Sequence, residues 1–142
     1  MTIAFIKQTT SRIFNALNHL QPLWWFGVRL WIAVVFFKSG LVKIDDFETT
    51  ILLFAEEYNV PFIPPELAAY SGTFFELTCP VLLTLGFGTR FAALTLLAMT
   101  AVIQFTYLDH VQHYYWAILL TGLIIHGGGK WSLDRVLLRK FG

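Results

Sequence analysis

Hydrophobic residues make up 56% of this 142-residue chain and charged residues only 13%, against roughly 45–50% and about 25% in soluble domains. So few charges cannot coat a single small domain, whose surface is large relative to its core, and a net charge of +1 offers no basic face for nucleic acid. The single cysteine, Cys79, excludes an internal disulfide or CxxC pair, so in any redox role the electrons must travel on a partner or a bound small molecule.

Residues 1–21 read as an amphipathic entry segment. Ile13, Leu17 and Leu20 recur at helical spacing with Phe14 beside them, while Arg12, Asn15 and Asn18 lie elsewhere on the wheel. Such a segment suits the headgroup region of a membrane. Lys7, Arg12 and His19 interrupt any apolar run, so no cleavable leader is expected and the spans themselves direct insertion. The first span is placed at residues 23–44, opening with Trp24 and Trp25 at the level of an aromatic belt and carrying Arg29, Lys38 and Lys43.

In the connection 45–65, Phe47, Ile51, Phe54 and Tyr58 mark a short surface helix. Pro64 and Pro65 suit the start of a second span at 66–85. A third is placed at 90–108 and a fourth at 111–126, ended by Gly127–Gly128–Gly129. Ser132 then caps an amphipathic tail within 130–142, with Leu133, Val136 and Leu137 on one side. The tight turns around Gly86–Thr89 and Asp109–His110 force antiparallel neighbours. The expectation is an all-α, polytopic membrane protein of one domain, with four transmembrane helices in an antiparallel bundle.

Basic residues orient it. Lys7, Arg12, Arg90, Lys130, Arg135, Arg139 and Lys140 fall on one side. Asp45, Asp46, Glu48, Glu56, Glu57, Glu66 and Asp109 fall on the other, with Lys43 as its only cation. The positive-inside bias places both termini in the cytoplasm.

An ionisable group at the centre of a span costs at least ~2.5–3.5 kcal/mol, so Arg29, Lys38 and Glu76 call for partners. Glu76 lies halfway along the second span. Lys38 lies ~6 Å to the outer side of the first span's centre, and Gln104 reaches a similar depth. Arg29 lies on the inner half, roughly opposite Lys38 on the wheel. Glu76 is therefore expected to pair with Lys38 or with Arg29. The pair has two main readings: a packing device that fixes helix register, or a site for a quinone headgroup or other small polar ligand formed with Gln104. Ion or proton translocation is a third.

Pro80, four residues after Glu76, is expected to kink the helix and free the Glu76 carbonyl. Cys79 reads as a small buried hydrophobe. Asp109, His110 and His113, near Tyr114, form a weak metal-ligand pattern. His126 is expected to interact with the last carbonyls of its own helix.

Several of these residues form a pattern in order. They are Arg29, then Phe36–Phe37–Lys38–Ser39–Gly40–Leu41–Val42–Lys43, mid-helix Glu76, Gly86 with Thr89–Arg90, and Gly127–Gly128–Gly129 with Ser132–Leu133–Asp134. Over residues 26–137 the chain resembles the DoxX-type (DoxX/DoxD-like) membrane proteins, and Glu57–Tyr58–Asn59–Val60–Pro61 with Pro64–Pro65 looks like a bacterial subgroup. The resemblance implies a four-helix protein of the bacterial inner membrane. Members are linked to thiosulfate:quinone oxidoreduction, to oxidative-stress complexes with soluble enzymes, or, more distantly, to membrane-protein assembly. It implies Arg29, Lys43 and Glu76 as the family-type charged positions; Lys38 and Cys79 carry over weakly.

No heme, flavin or iron–sulfur motif is present in the sequence, so no cofactor is identifiable beyond a quinone, and the chain is not expected to be an autonomous enzyme. The first expectation is a membrane subunit of a redox or oxidative-stress system. The alternatives are a non-enzymatic scaffold or assembly factor and a small-solute carrier. Expected partners are the lipid bilayer and either other proteins or further copies of the chain, with Ala92, Ala93 and Ala98 small enough to admit close helix contacts.

Overall fold

The computed structural model describes residues 2–142. Every regular element among them is helical: α1 (Thr2–Asp45), α2 (Phe47–Leu53) continued by a π-helical turn (Phe54–Tyr58), α3 (Pro65–Leu85), α4 (Thr89–Thr106), α5 (Val111–His126) and α6 (Leu133–Phe141).

The breaks between helices have local causes. Asp46 leaves the helical region and accepts from the Thr49 amide (3.1 Å) and hydroxyl (2.6 Å), capping α2. Those bonds hold its carboxyl below the ordinary aspartate pKa. Asn59 ends the π-helical turn at φ 40°, a left-handed conformation that asparagine tolerates. Pro64 and Pro65 start α3 as expected. Gly86 ends it at φ 69°, and the Phe87 amide reaches back to the Leu82 carbonyl.

Helix α1 packs on α3 and α5, and α4 closes the ring between those two. Phe36 meets Trp116 while Trp25 stacks on His126, so α1 and α5 run in opposite directions. The core draws on all four helices: Ile32 and Phe36 from α1, Cys79 and Leu83 from α3, Ala92, Ala93 and Leu96 from α4, and Leu120 and Leu123 from α5. A second cluster seats Phe54 on Ala68 and Ala69 of α3, flanked by Phe47, Ile51, Tyr58 and Val60. This is the apolar face expected of the short helix in the connection.

The ring is apolar outside as well as in. Trp31, Phe74, Phe91, Phe105, Ile118 and Ile125 are all more than half exposed. Water does not tolerate such a belt without a cover. Helices α1 and α4 are long and apolar enough to cross a membrane.

Among the described residues, α1 begins within the entry segment and runs unbroken through Pro22 into the first span. A proline removes one backbone hydrogen bond, yet its φ is compatible with the helix, and the helical turns on both sides carry the chain through. Every residue from Ile3 to Gln21 is exposed, so this arm leaves the ring.

Helices α1 and α3 pack tightly at Gly40. A Cβ there would lie 2.9 Å from Leu77 Cγ and 3.2 Å from Glu76 Cβ. Gly40→Val is expected to push the helices apart and lower stability by about 1–3 kcal/mol, seen as a lower unfolding temperature in detergent. Gly27→Ala, where a Cβ meets nothing within 4 Å, should not lower it.

Candidate functional site

The glycine contact decides which cation meets Glu76. Ser39 and Lys43 flank Gly40 on the face of α1 that turns toward α3. The Lys43 ammonium donates to Glu76 Oε2 at 2.6 Å and to Ser39 Oγ at 2.9 Å. Glu76 is buried at 3% exposure and the Lys43 side chain is 17% exposed. The charged hydrogen bond offsets the loss of water around both groups.

The expected pairing with Lys38 or Arg29 is thereby overturned. Lys38 lies on the exposed side of α1 and makes no hydrogen bond or ion pair among the described residues. Arg29 is about 21 Å further down the helix, fourteen residues from Lys43.

The pair lines a cavity of about 280 Å³ between the π-helical turn, α3 and α4. Its walls are mostly apolar, including Phe54, Phe75, Met99 and Val102, with Thr95, Ser71 and Tyr107 as further polar residues. Tyr107 stacks on Tyr58 with ring centroids 3.9 Å apart. Burial pushes the Tyr58 phenol above the ordinary tyrosine pKa, and the negative charges of Glu57 and Glu76 add to it. Sequence reading missed Ser39, Thr95 and both tyrosines as site residues. The signal for Ser39 was available, since it stands four residues before Lys43 and so shares its face.

Gln104 does not join this cavity. Its amide nitrogen donates to Asp109 Oδ1 (2.5 Å) and to Tyr114 Oη (3.2 Å). Its carbonyl oxygen accepts from the His110 amide (3.1 Å) and lies 2.8 Å from His113 Nδ1. One side chain thus latches the end of α4 to the start of α5. His110 is the N-cap of α5, its Nδ1 accepting from the Gln112 amide, and its ring lies 6.0 Å from that of His113. No group of three potential ligands able to hold a metal occurs among the described residues. His126 also departs from expectation: it stacks on Trp25 at 4.7 Å instead of serving the end of its own helix.

A second polar assembly forms at the opposite end of the ring. Arg29 is fully buried and donates to the Trp131 carbonyl at 2.5 Å. Its guanidinium lies over the Phe26 ring, 5.3 Å from the centroid. Asp134 accepts from the Gly88 amide at 2.7 Å and the Thr89 amide at 3.0 Å, while its own amide donates to the Gly86 carbonyl. Ser132 caps α6 through the Arg135 amide, as expected. A Cβ at Gly86 would fall 2.1 Å from Arg29 Nη1, so a glycine is required there twice over, by φ and by space.

The ion pair at one end of the ring and the α3–α4 turn at the other lie within the span of a family match, and α5 lies beyond it. The DoxX family model matches residues 24–109. The chain belongs to the DoxX family. The match takes in Arg29, Lys43, Glu76 and Thr89–Arg90 and stops before the Gly127–Gly129 run and Asp134. No curated protein and no solved structure matches the chain. With its apolar exterior, this DoxX protein is a membrane protein.

Two variants separate the assemblies. Glu76→Gln or Lys43→Gln alone is expected to destabilise the protein by about 3 kcal/mol, because each leaves a mostly buried charge without its partner. The double variant should recover most of that loss in a mutant cycle, and Lys38→Gln should show no coupling to Glu76. Asp134→Ala removes the two amide contacts at the start of α4. It should cost about 1–2 kcal/mol by the same denaturation assay, the usual range for a lost helix cap.

Proposed function

We propose that this DoxX protein is a four-span subunit of a redox or oxidative-stress system of the bacterial inner membrane, and that its Lys43–Glu76 cavity holds a quinone headgroup or similar small polar group. The observation that carries the reading is a buried ammonium–carboxylate pair opening on a mostly apolar cavity of about 280 Å³. That volume is just under the usual range for ligand sites, ~300–1,000 Å³, and suits one ring with its tail leaving between helices.

In this reading α1, α3, α4 and α5 all cross the bilayer as an antiparallel bundle. Arg90, Lys130, Arg135, Arg139 and Lys140 then face the cytoplasm with both termini, and Asp45, Asp46, Glu48 and Asp109 face outward. Polar backbone is satisfied within the helices, and the charged pair is kept from lipid by α3 and the π-helical turn.

Quinone reduction takes up two electrons and two protons. The electrons would come from a partner protein. This chain's part is local: Lys43 donates a hydrogen bond to a carbonyl oxygen, and Glu76 exchanges a proton with the oxygen it faces. A buried ionisable pair is a costly feature for a helix bundle to retain, which favours a use beyond packing.

The 2.6 Å closed contact, with Lys43 held by Ser39 as well, favours a second reading: a clamp that fixes α1 on α3 in a membrane scaffold. Lipid extraction and mass spectrometry on gently purified protein distinguish the two. Wild type and Lys38→Gln are expected to retain quinone, and the charge-free Lys43→Gln/Glu76→Gln variant to lose it by tenfold or more while still folded. Co-purifying proteins with no quinone in wild type would replace the redox reading with the scaffold.

A further inference from the structure

The exposed arm of α1 carries a pattern that its own chain does not use. Ile3, Ile6, Thr10, Ile13, Leu17 and Leu20 are spaced alternately by three and four residues. That is a repeat of 3.5 residues, the a/d seam of a coiled coil. The five apolar members are each more than half exposed.

The same alternation runs on into the bundle through Trp24, Gly27 and Trp31. There it forms the floor of an open apolar groove of about 600 Å³. A Cβ on Gly27 would meet nothing within 4 Å, so the backbone is laid bare for a facing helix. Pro22 falls on the side of α1 away from this stripe, about 170° from its centre at ~100° per residue. The helix defect thus stays out of the seam.

We infer that α1 is a dimerisation helix, pairing along residues 3–31 with α1 of a second copy of this chain in a parallel coiled coil. Two copies inserted the same way in one bilayer are related by an axis along its normal, so identical helices run parallel and each seam residue meets its own copy. The self-match is what selects this occupant. Thr10, the one polar seam residue, faces Thr10 and not an apolar side chain.

A membrane surface fits less well. A helix lying in the interface would have to bend sharply where the span begins, yet α1 is continuous through Pro22. The next lysine on the same stripe is Lys38. Two of these would repel, so the seam ends before it and the helices part toward the outer end.

The inference uses the spanning reading of α1 and is independent of any ligand at Glu76. The test is cysteine scanning of positions 10–20 in the full chain with Cys79→Ala, oxidised in native membranes. Disulfide dimers are expected to peak at 10, 13, 17 and 20 and to be weak at 15 and 19. Leu17→Glu should convert the purified protein from dimer to monomer by mass in detergent. Its unfolding temperature should otherwise match that of monomeric protein, since Leu17 is more than half exposed in its own chain. Uniform or absent cross-linking, or a monomeric wild type, would overturn the proposal. Seam cysteines shielded from water-soluble reagents without cross-linking would assign the arm to the membrane surface. Cross-links to a different protein would assign it to another partner.

Discussion

The arrangement of this protein turns on the missing side chain at Gly40. There α1 and α3 come close enough that a Cβ would crowd Leu77 and Glu76. Ser39 and Lys43 stand on either side of that glycine in sequence, and the approach delivers to one Glu76 carboxylate oxygen an ammonium that also donates to the Ser39 hydroxyl. Packing and electrostatics are therefore one event here. A bulkier residue at position 40 would separate the helices and, with them, two charges that neither lipid nor an apolar core can accept singly.

The polar chemistry of the chain is concentrated at the two ends of the ring and excluded from its middle. At one end, Lys43, held also by Ser39, and Glu76 face a cavity lined by Phe54 of the π-helical turn. At the other, Arg29, Gly86, Trp131 and Asp134 tie the first helix, the α3–α4 turn and the C-terminal helix together. Between them the core is aliphatic and small-residue packing, with Ala92 and Ala93 fully buried. This division explains why Arg29 and Glu76, both charged and both buried, have nothing to do with each other. Each answers to groups at its own level.

Much of the fold was legible. The proline pair, Gly86, Gly127–Gly129 and the Ser132 cap all act through local backbone geometry, and α3, α4 and α5 begin and end within a few residues of where those signals put them. The continuity of α1 through Pro22 was not legible, because it is decided by the helical turns on either side. Part of the site was also within reach. Arg29 and Lys43 are fourteen residues apart, hence about 40° apart on the wheel, with Gly40 about 20° from Arg29 on its other side, and Lys38 lies far round the helix. Weighing Lys38 and Arg29 left Lys43 out; the glycine on its face would have pointed to it. Gln104 was assigned by depth, and its actual partners lie beside it in the adjoining turn.

The sequence by itself determined that this chain is helical, apolar beyond the needs of a soluble core, and provided with charges that must find one another. Those properties follow from composition, periodicity and local caps, which act over a few residues. Only the tertiary structure decided which charges meet, that Tyr58 and Tyr107 stack beside the cavity, and that Arg29 answers to a carbonyl from residue 131. Each depends on where two helices cross, which is set by the shape of both surfaces at once and is written in neither strand of sequence alone.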